Sequence, residues 1–132
     1  MDSATHILMC PPDYYGIEYE INPWMSRLRQ SDRELARRQW HDLRALLERL
    51  GAKISTLDAV SGLPDLVFTA NAALIYRERA VLAHFRHPQR QGEEPIDEAW
   101  LASHGYSIEK VPSDVFFEGA GDALFCGDTL FA

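Results

Sequence analysis

Apolar and polar positions recur with two different periods along this chain, and the switches between them mark out its elements. Residues 5–10 are a short apolar run halted by Pro11-Pro12, the pattern of a buried strand. Within 31–50, Ala36, Trp40, Leu43, Leu47 and Leu50 fall at spacings of four and three, which predicts a helix with one apolar stripe. Ser31 and Glu34 have the spacing of a capping box, and Gly51 stands where a helix commonly ends in a left-handed residue. The stripe is too short for a sustained coiled coil, so the helix is expected to dock on a sheet. Residues 52–57, 66–69, 72–76 and 80–85 are predicted strands, the last two joined as a hairpin by Arg77-Glu78-Arg79. Pro95 opens a second helix that stops at Gly105. Residues 106–111 and 115–117 follow as strands, and 123–126 and 129–131 flank Gly127-Asp128 as a second hairpin. Residues 13–25 form an irregular loop with Tyr14, Tyr15, Tyr19 and Trp24. Such a loop suits a site, and surface packing is the plainer alternative.

The two hairpins resemble each other. Ala73-Leu-Ile-Tyr-Arg-Glu-Arg-Ala-Val-Leu-Ala83 returns fifty positions later as Ala123-Leu-Phe-Cys-Gly-Asp-Thr-Leu-Phe-Ala132, with a turn expected to be one residue shorter. Each is expected to follow a strand that ends in polar residues. A period near fifty predicts a repeat of strand, strand, helix and strand, against chance likeness of two short apolar hairpins. On this pattern residues 1–132 are expected to be the N-terminal part of a single domain, truncated within a repeat. The unpaired apolar edge left at the second hairpin then favours self-association or a homo-oligomer.

Composition narrows the class. A chain of 132 residues, 46% hydrophobic and 25% charged, suits one ordinary globular domain. A formal net charge of -7 and no basic stripe argue against nucleic acid as a partner. No apolar run approaches the ~18 residues of a membrane span, so no membrane partner is expected. The first six residues lack the pattern of a secretory signal. Cys10 and Cys126 both sit in apolar, strand-like contexts and are expected to be buried thiols, which points to a cytoplasmic location.

Candidate chemistry gathers where the predicted strands end. Asp65, Asn71, Glu118 and Asp122 offer side-chain oxygens with no sulfur or imidazole among them. That acceptor set suits a flat cation with several N–H donors, such as a guanidinium. His84 and His87 lack further metal ligands at a useful spacing, so neither a metal nor another cofactor is expected. His6, His41 and His104 look incidental. Each candidate also has a plain reading. Asn71 and Asn22 would cap turns, Asp65 and Asp122 would be turn acids, Glu118 a solvated strand-end acid, and Arg90 a surface charge.

Four blocks in order carry a resemblance: Met9-Cys-Pro-Pro-Asp13, Ile21-Asn-Pro-Trp-Met25, Pro64-Asp-Leu-Val-Phe-Thr-Ala-Asn71 and Phe117-Glu-Gly-Ala-Gly-Asp122. Together they resemble the guanidino-group-modifying (pentein, amidinotransferase-like) enzymes. Within these they are most similar to the arginine dihydrolase domain of bacteria and to dimethylarginine dimethylaminohydrolases. The resemblance implies an α/β propeller of five ββαβ modules around a central pore, of which this chain would hold roughly two and a half. It implies a small guanidino substrate and covalent catalysis, in which a cysteine thiolate attacks the guanidinium carbon and a histidine moves protons. In these enzymes both groups lie downstream of the glutamate motif, and neither Cys10 nor Cys126 matches the nucleophile. Glu118 matches the catalytic glutamate that holds the guanidinium. Asn71 matches a second guanidinium contact and Asp65 the acid six positions before it. Asn22 matches the dihydrolase group, Arg90 sits where a substrate carboxylate is held, and Asp122 closes the glutamate motif. Asn at position 71, where many relatives carry Asp, resembles the dihydrolases, which take arginine to ornithine, ammonia and carbon dioxide. A dimethylarginine dimethylaminohydrolase or a deiminase-like hydrolase is the alternative. A non-catalytic arginine-binding module or an inactive truncation is the alternative from another class.

Overall fold

The computed structural model describes residues 5–132, so most of the segment read for a secretory signal lies outside the described residues. The chain divides into two compact units, Met1–Thr69 and Ala70–Ala132.

In the first unit, β1 (His6–Met9) pairs in parallel with β2 (Lys53–Thr56), Ile7 opposite Ile54. Helix α1 (Arg33–Arg49) makes the crossover that parallel strands require. Its start corrects the predicted capping box. Asp32 is the N-cap, and its Oδ1 accepts the Leu35 N–H at 3.0 Å. An ionised carboxylate is the stronger acceptor for that orphan amide, and Ser31 Oγ is left buried with no partner among the described residues. Gly51 ends the helix at φ +90, as its position predicts. Trp40 is the buried residue of the stripe, whereas Leu43 and Leu50 remain exposed.

The strand predicted at 66–69 is absent. Pro64–Val67 and Thr69–Asn71 are two consecutive 3-10 turns. Pro64 has its φ locked near the helical value, and the Phe68 amide turns back to the Asp65 carbonyl at 2.9 Å. Thr69 Oγ1 donates to the Leu8 carbonyl at 2.8 Å, which ties the turn to β1.

The second unit opens with β3 (Ala73–Tyr76), antiparallel to β4 (Arg79–Leu82), with β5 (Ser107–Lys110) added in parallel beside β4. Tyr76 pairs with Arg79, so the turn is the two residues Arg77-Glu78, with Arg77 at φ +56. Between β4 and β5 run a short helix α2 (Pro88–Gln91), which the sequence pattern did not predict, and α3 (Glu94–Ser103), with Pro95 in its first turn. Ala80, Leu82 and Leu101 form the core, flanked by Ala73, Trp100, Tyr106 and Ile108.

Strand 80–85 stops at Leu82, and strand 115–117 shrinks to a single bridge between His84 and Phe117. Hairpin β6 (Leu124–Cys126) and β7 (Thr129–Phe131) follows another 3-10 turn, Gly119–Gly121. Thus each hairpin is preceded by a 3-10 turn rather than by a strand. Both hairpin turns span two residues, since Cys126 pairs with Thr129 just as Tyr76 pairs with Arg79. Cys10 is buried, but Cys126 is exposed, because nothing among the described residues covers its side of the second hairpin. Among the described residues no helix is long and apolar enough to cross a membrane.

Candidate functional site

The 3-10 turns place the polar residues of the second unit. Asn71 closes the turn before β3, and Glu118 precedes the turn before β6. Asn71 Nδ2 donates to the Glu118 carbonyl at 3.1 Å. Two glycines permit that approach. A Cβ at Gly119, which sits at φ +57, would lie 2.8 Å from the Ala70 carbonyl oxygen. At Gly121 it would lie 3.1 Å from Asn71 Nδ2. The Glu-Gly-Ala-Gly-Asp spacing is therefore what close backbone contact between the two turns demands. Asp122 Oδ2 accepts the Glu118 amide at 2.7 Å and so holds the same residue from its other side. The Glu118 carboxylate is half-buried, and its Oε1 lies 3.4 Å from the Arg86 amide.

Arg90 is not a surface charge. It is 7% exposed, on α2, with its guanidinium 4.3 Å from the centre of the Phe85 ring. Its Nε and Nη2 donate to the two carboxylate oxygens of Glu93 at 2.9 and 2.8 Å. Its Nη1 donates to Asn71 Oδ1 at 3.2 Å. Four of the six sequence candidates, Asn71, Arg90, Glu118 and Asp122, thus form one hydrogen-bonded chain.

Two acids in this neighbourhood escaped the sequence reading. Glu93 shares the quartet Arg90-Gln-Gly-Glu93, and a three-residue spacing of opposite charges was the available signal. Asp97, 2% exposed, follows Glu93 by one helical turn. Burial, then the neighbouring Glu93, pushes its carboxyl up to about 7 against the pull of Arg90. Its Oδ1 has no hydrogen-bond partner among the described residues.

In the first unit Asp65 is buried and accepts the Tyr19 hydroxyl at 2.7 Å. Tyr19 comes from the aromatic loop, whose Tyr15 also packs edge-on against Phe68 at 5.9 Å. Asn22 is exposed, and its Oδ1 accepts the Trp24 and Met25 amides at 3.0 and 3.1 Å, the geometry of a loop cap.

His84 Nδ1 lies 3.3 Å from Glu94 Oε1, and its ring stacks on Phe116. Among the described residues no group of three or more His, Cys, Asp or Glu could hold a metal ion. Chemically, the arrangement in the second unit is an amide held against the backbone of a residue with a half-buried carboxylate, and backed by a buried Arg–Glu pair.

No protein-family model matches the chain. Individual proteins do. The chain is 47% identical over 126 residues to the bifunctional arginine dihydrolase/ornithine cyclodeaminase ArgZ of Synechocystis sp., covering 95% of this chain and 18% of that protein. To the N(G),N(G)-dimethylarginine dimethylaminohydrolase of Mycobacterium tuberculosis it is 39% identical over 124 residues, covering 94% of this chain and 40% of that one. The crystal structure of the N-terminal domain of ArgZ, a cyanobacterial arginine dihydrolase bound to product, matches with a TM-score of 0.87 at 44% identity. That match takes in 93% of this chain and 45% of the other. The chain therefore spans less than half the length of the proteins it matches.

Proposed function

For a chain homologous to the N-terminal part of the guanidino-group-modifying (pentein) enzymes, in sequence and in fold, we propose a place in a hydrolase acting on the guanidinium C–N bonds of arginine. Arginine and two waters would give ornithine, two ammonia and carbon dioxide. One observation carries the reading: two 3-10 turns, brought into backbone contact by Gly119, set the Asn71 amide beside Glu118. Glu118 would grip the guanidinium nitrogens through charge-assisted hydrogen bonds. Asn71 still has one amide N–H and one oxygen lone pair beyond its contacts to Glu118 and Arg90. It therefore suits both a guanidinium donor and the ureido oxygen of a half-hydrolysed intermediate. Asp122 would hold Glu118 in place, and Arg90 would bear on the substrate carboxylate end. Asp65 and Asn22 are proposed as further substrate contacts on their sequence blocks alone. The attacking thiolate and the proton-carrying imidazole would come from the rest of such an enzyme, and residues 1–132 would be the N-terminal part of its catalytic domain.

The test is ornithine and ammonia release from arginine by the full-length protein that contains this chain. Glu118→Gln is expected to lower kcat/KM by about 10- to 100-fold, the loss of one charge-assisted hydrogen bond. Turnover of dimethylarginine in place of arginine would favour the second reading, to which the identity with the mycobacterial enzyme lends weight. Binding of arginine without turnover would favour a non-catalytic module, and neither binding nor turnover would overturn the proposal.

A further inference from the structure

We infer that Glu93 is a positioning residue for Asn71, acting through Arg90 to decide which way the Asn71 amide points. The inference rests on the proposed function for its catalytic meaning but on geometry for its substance.

Asn71 has two chemically opposite ends of nearly equal size, and a half-turn about its terminal bond exchanges them. Its Nδ2 donates to the Glu118 carbonyl, a contact that requires N–H on that side. The exchanged amide would set oxygen against oxygen. Only a donor on the other side completes the constraint, and Arg90 Nη1 supplies it to Oδ1. A guanidinium donates and never accepts, so it reads the amide in one sense only.

Arg90 needs a fixed plane to do this. Its side chain is long and buried, and a buried charge without a partner is strongly disfavoured. Glu93, 2% exposed, meets it with both oxygens, one to Nε and one to Nη2. A two-point fork fixes the guanidinium plane in a way that a single contact cannot. The Phe85 ring, fully buried, supports one face of that plane. Glu93 stands at the junction of α2 and α3 as the cap residue of α3, so its own position is set by a helix start. The order of control runs from the α3 start to Glu93, Arg90, Asn71 and the Glu118 backbone.

Substituting Glu93→Gln keeps the shape of residue 93 but removes one acceptor and the charge. In the full-length protein, kcat for arginine is expected to fall about tenfold, as slight misplacement of a positioned group does. The conservative Glu93→Asp should recover part of it. In an Asn71→Ala background, Glu93→Gln should add no further loss, because the group it positions is gone. A loss that is unchanged in that background would mean that Glu93 acts through the fold or through Arg90 at the substrate carboxylate and not through Asn71, and would overturn the inference. Should Glu93→Gln fail to fold, Glu93→Asp carries the same cycle, and an undiminished loss there overturns the inference equally. A second arm needs no turnover. With asparagine labelled in nitrogen-15, the Asn71 side-chain amide signals are expected to shift and to exchange faster in Glu93→Gln. Unchanged Asn71 signals in a folded variant would overturn the inference. A wild type without turnover but with responsive Asn71 signals would sink the proposed function and leave the positioning role standing.

Discussion

The two hairpins of the second unit share a register and a two-residue turn but differ in burial. In β3–β4, Ala80 is 0% and Leu82 4% exposed, whereas in β6–β7 Leu124 is 57% and Phe131 62% exposed. The difference lies in what covers them: β4 gains β5 at its side and α3 on its face, and β6–β7 has a two-stranded sheet to itself. Both hairpins nevertheless follow a 3-10 turn that carries a candidate site residue at its end or just before it. The chemistry therefore belongs to the turns, whose mutual contact needs glycine, and not to the hydrophobic cover of the hairpins behind them.

Removing that contact is the most severe test of the contrast. Gly119→Ala forces an L-residue into a left-handed conformation and pushes its Cβ into the Ala70 backbone. Strain and overpacking together are expected to cost about 4 kcal/mol. Urea unfolding and arginine affinity should both collapse. A variant with wild-type stability would show that the two turns do not meet as described.

Truncating one leucine in the second strand of each hairpin weighs the covers themselves. Leu82→Ala should destabilise by about 3 kcal/mol, within the usual range for a buried leucine. Leu130→Ala, on the exposed hairpin, is expected to cost below about 1 kcal/mol. Equal midpoint shifts in denaturant would erase the distinction between the hairpins.

The cover of the first hairpin also introduces a buried acid, and pH reads it. The Asp97 carboxyl is raised from 3.8 to about 7 in the fold. Between those values the folded protein keeps a proton that the unfolded chain has lost, so stability falls as pH rises through the window. Below about 3 and above about 8 the slope from this group vanishes. A shift of that size corresponds to at most about 4 kcal/mol, and about 2 is expected once relaxation around the carboxyl is allowed for. Asp97→Asn should flatten the curve, gaining stability at pH 8 and none at pH 3. Parallel curves for variant and wild type between pH 4 and 8 would refute this.

Much of this was legible in the chain. The period of α1, both hairpins and the turn chemistry of Gly51 and Gly127 are local patterns, and local patterns survive folding. The four blocks identified the relatives before any geometry was known, since residue types at fixed spacing persist where chemistry needs them. Leu66-Val67-Phe68 misled because an apolar run of that length has no period, and strand and tight turn look alike in it.

By itself, then, the sequence determined the two longer helices and both hairpins, the kinship with guanidine-processing enzymes, and which oxygen-bearing residues stand just before the hairpins. Tertiary structure alone decided that Arg90 is buried against Asn71, that Asn71 is read from both ends, and that Gly119 is empty space required by a neighbouring backbone. The physical reason is range. Periodicity and capping are settled within a turn or two of chain. Burial of a charge and the approach of two backbones are settled by atoms some twenty to fifty positions away, which no local pattern records.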